Sequence, residues 1–120
     1  MLFEQKDVKQ NEGEPFRRVF IDDYFDLYVW ISETNEPIGF QLCYEKTLNE
    51  RALSFINGNY SHTGIENGDN DLLGGIPLLM ADGEFGKYEI LKRFIAESNK
   101  IDSRIRNYVI NKIKEYDKNM

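Results

Sequence analysis

From residue 16 to residue 32 the chain reads FRRVFIDDYFDLYVWIS, where apolar and polar positions alternate and many side chains are aromatic or β-branched. A period of two marks half-buried strands, because successive side chains of an extended backbone point to opposite sides. The pattern predicts a strand over RRVFI, a turn at Asp22 and Asp23, and a second strand over FDLYVWIS. The next stretch, PIGFQLCY, continues the alternation, and RALSFI repeats it.

Loop lengths fix which residues face one another. If residues 33–36 form a four-residue loop, Ser32 faces Pro37, Val29 faces Phe40, Leu27 faces Leu42 and Phe25 faces Tyr44. A second loop at residues 46–49 places Leu42 opposite Leu53 and Phe40 opposite Phe55. Both loops produce the same apolar face, and a slip of one residue in either would destroy it. The other face then carries Asp26, Tyr28, Trp30, Gly39, Gln41, Cys43, Ala52, Ser54 and Ile56. Trp30 falls opposite Gly39, where an indole can cover bare glycine backbone, and Arg17 is placed to stack over Trp30.

After Ile56 the periodicity lapses until Ile76. The stretch GNYSHTGIENGDND, residues 58–71, reads as part of a connection of roughly 20 residues, longer than compact domains usually contain. IPLLMA, from Ile76, then reads as a short edge strand that tolerates Pro77. Two helical patterns finish the chain: Ile90, Leu91, Phe94 and Ile95 share one stripe, as do Ile105, Tyr108, Val109, Ile113 and Tyr116, with Asp102 or Ser103 as N-cap. Residues 1–14 are polar and read as a loose arm or an edge strand turning at residues 11–13. The expected fold is α+β: an antiparallel meander of four to five strands with two C-terminal helices packed on its dry face.

Composition supports a single domain over 1–120. At 120 residues, with 41% hydrophobic and 13% aromatic side chains, the chain can bury about two-thirds of its unfolded surface without staples. The one cysteine forbids an intramolecular disulfide. Charges in MLFEQKDVK stand where a secretory signal needs apolar residues, so the expected location is cytoplasmic. The longest apolar run, IPLLMA, falls far short of the roughly 20 residues that span a bilayer. The net charge of −6 is uneven: the body is acidic and the two helical segments are mildly basic. That balance disfavours nucleic acid as a partner.

The phrases RRVF, YFDLYVW, GFQLCYEK, ERAL, YSH and PLLMADG follow one another in order. On them the chain resembles, over roughly residues 16–97, a family of short uncharacterised bacterial proteins with a phrase similar to FDL-V-W followed by GFQLCYDK and ERAL. The resemblance implies a bacterial origin and transfers no reaction, cofactor, partner or site residue.

His62, the only histidine, has an intrinsic pKa suited to proton transfer near neutrality. One histidine and one cysteine do not make a structural zinc site, so neither metal nor cofactor is expected. Cys43 lies in a strand without a Cys-x-x-Cys partner or an adjacent helix N-terminus, which suits a small buried hydrophobe better than a nucleophile. A Cys43–His62 dyad would require the 58–71 loop to fold over the mixed face. Asp22, Asp23 and Asp26 sit where turns favour aspartate, although paired carboxylates also perform acid–base work. NGDNDL, residues 67–72, resembles a calcium loop but has Leu72 at the glycine position and Leu78 at the terminal glutamate position. No phosphate-binding glycine motif is present. Arg104, Asn107, Asn111, Lys114 and Lys118 line one side of the last helix and read as a solvated face.

These features favour a small non-enzymatic domain that binds a small molecule or a protein. Its expected surface is the mixed face with the 58–71 loop as its wall, and Tyr28, Trp30, Gln41, Cys43 and His62 are the ligand-binding candidates. The alternative is a hydrolase-like enzyme with His62 as general base near Asp23 or Asp26, and catalytic candidates His62, Asp23, Asp26 and Cys43. Homodimerisation through the mixed face is a third reading.

Overall fold

The computed structural model describes residues 1–46, 50–64 and 85–116. Six strands form one antiparallel sheet in chain order: β1 Phe3–Glu4, β2 Phe16–Ile21, β3 Asp26–Ile31, β4 Pro37–Tyr44, β5 Arg51–Ile56 and β6 Asn59–Gly64. Helices α1 Lys87–Glu97 and α2 Ser103–Glu115 follow. The α+β meander is as expected, but it has six strands rather than four to five.

The central register follows the alternation. Val29 pairs with Phe40 and Leu27 with Leu42, while Leu42 pairs with Leu53 and Phe40 with Phe55. The turn end of the β3–β4 hairpin differs from expectation: a register shift after Trp30 makes Ile31, not Ser32, the partner of Pro37. Ser32 instead closes the turn, donating N–H to the Glu36 carbonyl at 2.8 Å while its own carbonyl accepts from Asn35 N–H at 2.9 Å.

The strand missing from the sequence reading is β6. Asn57 and Gly58 both have positive φ, 53° and 80°, as a two-residue type I′ hairpin turn requires. The chain therefore reverses at once, and residues 59–64 pair with β5 instead of starting a loop. Residues 65–84, with NGDNDL and the strand expected from Ile76, lie outside the described residues, as do residues 47–49.

Both helices bury their stripes on one side of the sheet. Phe20, Phe25, Leu27, Val29, Phe40, Leu42 and Leu53 pack with Phe94, Ile105, Val109 and Ile113, all essentially inaccessible to solvent. Each such side chain contributes about 1.5–3 kcal/mol through burial. Ile95, assigned to the α1 stripe by spacing, is instead 38% exposed. Asp102 caps α2, its carboxylate accepting Arg104 N–H at 2.9 Å. Arg106 of α2 finishes α1, donating to the Ile95 carbonyl at 3.0 Å and to Ser98 Oγ at 2.9 Å. It thus places a cation at the C-terminus of a helix with no basic residue in its own last turn, where orphan carbonyls and the helix dipole favour one.

The N-terminal segment is an anchored edge. Leu2 is fully buried and its N–H donates to the Glu97 carbonyl at 2.8 Å. The Gln10 amide accepts Arg17 N–H at 2.7 Å and donates to the Arg17 carbonyl at 2.8 Å. A side chain here completes the ladder beside β2 where β1 has ended, which satisfies backbone groups that an edge would leave open. No helix among the described residues is long and apolar enough to cross a membrane.

Candidate functional site

Strand parity divides the predicted site residues between two faces. Tyr28 pairs with Gln41, Trp30 with Gly39 and Asp26 with Cys43, so Asp26, Tyr28, Trp30, Gln41 and Cys43 share the face away from the helices. His62 pairs with Leu53 and therefore belongs to the helix-covered face. The structure brings the first group together and leaves His62 out of it.

On the face opposite the two described helices, Tyr28, Trp30 and Gln41 are half-buried. Gln41 Oε1 accepts from Ser54 Oγ at 3.4 Å, and its amide nitrogen approaches Cys43 Sγ at 3.5 Å. Cys43 is only 3% exposed, and burial pushes its thiol pKa up, so thiolate, the nucleophilic form, is scarce at neutrality. The Arg17 guanidinium stands 5.9 Å from the Tyr28 ring centroid. Arg17 is register partner to Trp30, but its cation–π contact is with Tyr28. Its Nε is buried without a hydrogen-bond partner among the described residues.

Two further residues on this face escaped the sequence reading. Lys46 Nζ pairs with Asp26 Oδ1 at 2.8 Å and donates to the Asp22 carbonyl at 2.6 Å. Glu50 has a raised pKa, through burial first and the Asp26 charge second. Only the fold brings these residues to Asp26, because each comes from a different segment of chain. Asp22 is committed to its turn, with Oδ1 accepting the N–H groups of Tyr24 and Phe25 at 2.8 and 2.7 Å. Asp23 is exposed at the same turn. Among the described residues no group of three or more histidine, cysteine or acidic side chains is placed to hold a metal ion.

His62 has a different neighbourhood. Its Nε2 lies 2.6 Å from the Tyr44 hydroxyl, and the Phe85 ring stands 5.2 Å away. Tyr44 is 2% exposed and burial drives its pKa well above the ordinary tyrosine value, against the Arg51 guanidinium, which favours phenolate. A phenol held neutral in this way suits donation to an imidazole nitrogen. An aromatic chain continues through Phe85, Tyr116, Tyr60 and Phe55, and Tyr60 donates to the Lys112 carbonyl at 2.8 Å. Strand β6 is thereby sewn to the end of α2.

A hydrolase built on His62 and Asp26 needs the two within hydrogen-bond reach, directly or through one water. They sit on opposite faces, and β4 and β5 stand between β3 and β6, a separation of roughly 14 Å at ordinary strand spacing. Comparison with known proteins finds no matching family model, no similar curated protein and no similar solved structure. The chemistry of the two faces is therefore the ground for a functional reading.

Proposed function

We propose that this chain is a non-enzymatic interaction domain whose sheet face opposite the two described helices receives a protein partner. The observation that carries the proposal is the division of the sheet. Among the described residues both helices and the main apolar cluster occupy one side, while Tyr28, Trp30 and Arg17 stand together on the other. Tyrosine, tryptophan and arginine are the residues that most often dominate interface energetics, since each buries a large area and also carries a polar tip.

Trp30 is the only tryptophan, so fluorescence excited selectively at tryptophan reports on this face alone. A protein captured from cells of the source organism and then purified should quench or shift Trp30 emission. Its affinity should fall at least about tenfold on Trp30→Ala, the usual scale for a buried aromatic anchor. A folded Trp30→Ala chain that retains every captured partner with unchanged affinity would overturn the proposal. Concentration-dependent sedimentation abolished by Trp30→Ala would identify the partner as a second copy of the chain.

A further inference from the structure

Beside the Tyr44–His62 pair, on the helix side of the sheet, lies a cavity of about 470 Å³. Its aromatic walls are Tyr24, Tyr44 and Phe85, its cations Arg51 and Arg93, and its acids Glu45 and Glu89. This volume falls in the range of small-ligand sites, roughly 300–1,000 Å³.

Commitments of the charged groups narrow the ligand. Arg93 lays its guanidinium 3.6 Å from the Tyr24 ring centroid, which occupies the face of the group and leaves its N–H edge for an anion. Among the described residues neither Arg93, Glu45 nor Glu89 has an ion pair or a side-chain hydrogen bond, although all three line one cavity. Glu45 stands there on left-handed backbone, φ 56°, a conformation that costs a non-glycine residue about 1 kcal/mol or more. Among the described residues the lining holds two cations and two acids, so a multiply charged anion meets as much repulsion as attraction from them. A ligand carrying one charge of each sign meets a partner for both.

We infer that this cavity binds an aromatic zwitterion of amino-acid size, with its carboxylate on Arg93, its ammonium on Glu45 and Glu89, and its ring against Phe85, which packs edge-on to Tyr44 at 5.9 Å between centroids. The inference is independent of the reading of the Tyr28–Trp30 face, which lies on the other side of the sheet. Titration calorimetry on the full chain tests it with L-phenylalanine as probe. Phenylacetate lacks the ammonium, phenethylamine the carboxylate and L-alanine the ring.

L-Phenylalanine should bind; phenylacetate and phenethylamine should bind at least about tenfold more weakly, since one charge-assisted hydrogen bond is worth roughly that factor, and so should L-alanine, which buries no ring. Arg93→Gln should weaken L-phenylalanine and phenylacetate but spare phenethylamine, and Glu89→Gln should do the reverse for the ammonium-bearing probes. Both side chains are exposed, so neither substitution removes a core contact. Trp30→Ala should leave the titration unchanged. Absence of L-phenylalanine binding at millimolar concentration, equal affinity for L-alanine, or insensitivity to Arg93→Gln would each overturn the inference, and loss of binding in Trp30→Ala would move the ligand to the opposite face.

Discussion

Leu42 and Gln41 are neighbours in β4, as are Val29 and Trp30 in β3, yet the two members of each pair lie in different surroundings. Leu42 and Val29 are fully buried under α1 and α2. Gln41 and Trp30 stand on the face that no described helix covers. The backbone hydrogen bonds that align these strands serve both faces equally. What differs is what each face does with its side chains: one excludes water with close-packed hydrocarbon and aromatic rings, and the other keeps tyrosine, tryptophan, arginine and glutamine partly accessible. The large buried side chains are therefore concentrated on one parity of each strand, while the other carries half-buried Tyr28, Trp30 and Gln41 beside the smaller buried Val19, Cys43 and Ala52.

The largest expected effect comes from adjacent substitutions in β4. Leu42→Ala should cost about 3 kcal/mol, combining lost transfer free energy with a cavity that close-packed neighbours cannot fill. Gln41→Ala should cost no more than about 1 kcal/mol, because the contacts it loses are long and partly solvated. Urea unfolding of the two variants measures the contrast directly. Equal losses would show that the Gln41 face carries as much of the fold as the face under α1 and α2 does.

This division was legible in the sequence wherever the alternation was strong. Pairings from Leu27 through Leu42 to Leu53 follow from side-chain parity and loop length, because only one register puts every large apolar residue on one side. Strand β6 was hidden for a physical reason: only Tyr60 and His62 face the helices, while Asn59, Ser61 and Thr63 point away and resemble loop residues. The available signal was Asn57-Gly58, the dipeptide best suited to a type I′ turn. Reading it would have placed His62 opposite Leu53 and away from Asp26. Partners set by long-range packing, such as Tyr44 for His62 or Glu97 for Leu2, leave no local trace. The same holds for the cavity, whose lining comes from the β2–β3 turn, β4, β5 and α1.

Gly39 sharpens the comparison, since it lies on the tolerant face and should not be tolerant itself. A Cβ at this position would stand 2.9 Å from the Phe55 carbonyl oxygen. That atom belongs to the strand paired with β4, and a shift that relieved the contact would strain the pairing of Phe40 with Phe55. Gly39→Ala should therefore cost about 2 kcal/mol, the usual scale of overpacking against atoms that cannot move aside. Thermal unfolding that leaves Gly39→Ala level with wild type would mean that β4 and β5 can separate locally at little cost.

The smallest effect tests how the helix layer is fastened to the sheet. Asp102 caps α2 and also takes Arg18 of β2 at 3.1 Å, so one carboxylate joins the two layers. Asp102→Ala should cost about 1 kcal/mol through the lost cap, whereas Asp102→Asn keeps a capping oxygen and loses only the charge. The N–H of Arg104 first, and Arg18 second, hold the Asp102 carboxyl below the ordinary aspartate range. A group whose pKa is depressed by folding stabilises the native state at pH above its unfolded value, and that contribution disappears as pH falls through the folded value. Wild type should therefore exceed Asp102→Asn in stability near neutrality, and the gap should close as the medium is acidified through and below about pH 4. With the aspartate side chain 41% exposed, salt should narrow the gap at neutral pH. A difference that stayed constant from neutral to acid pH would assign Asp102 to helix capping alone and remove the charge from the joint between α2 and the sheet.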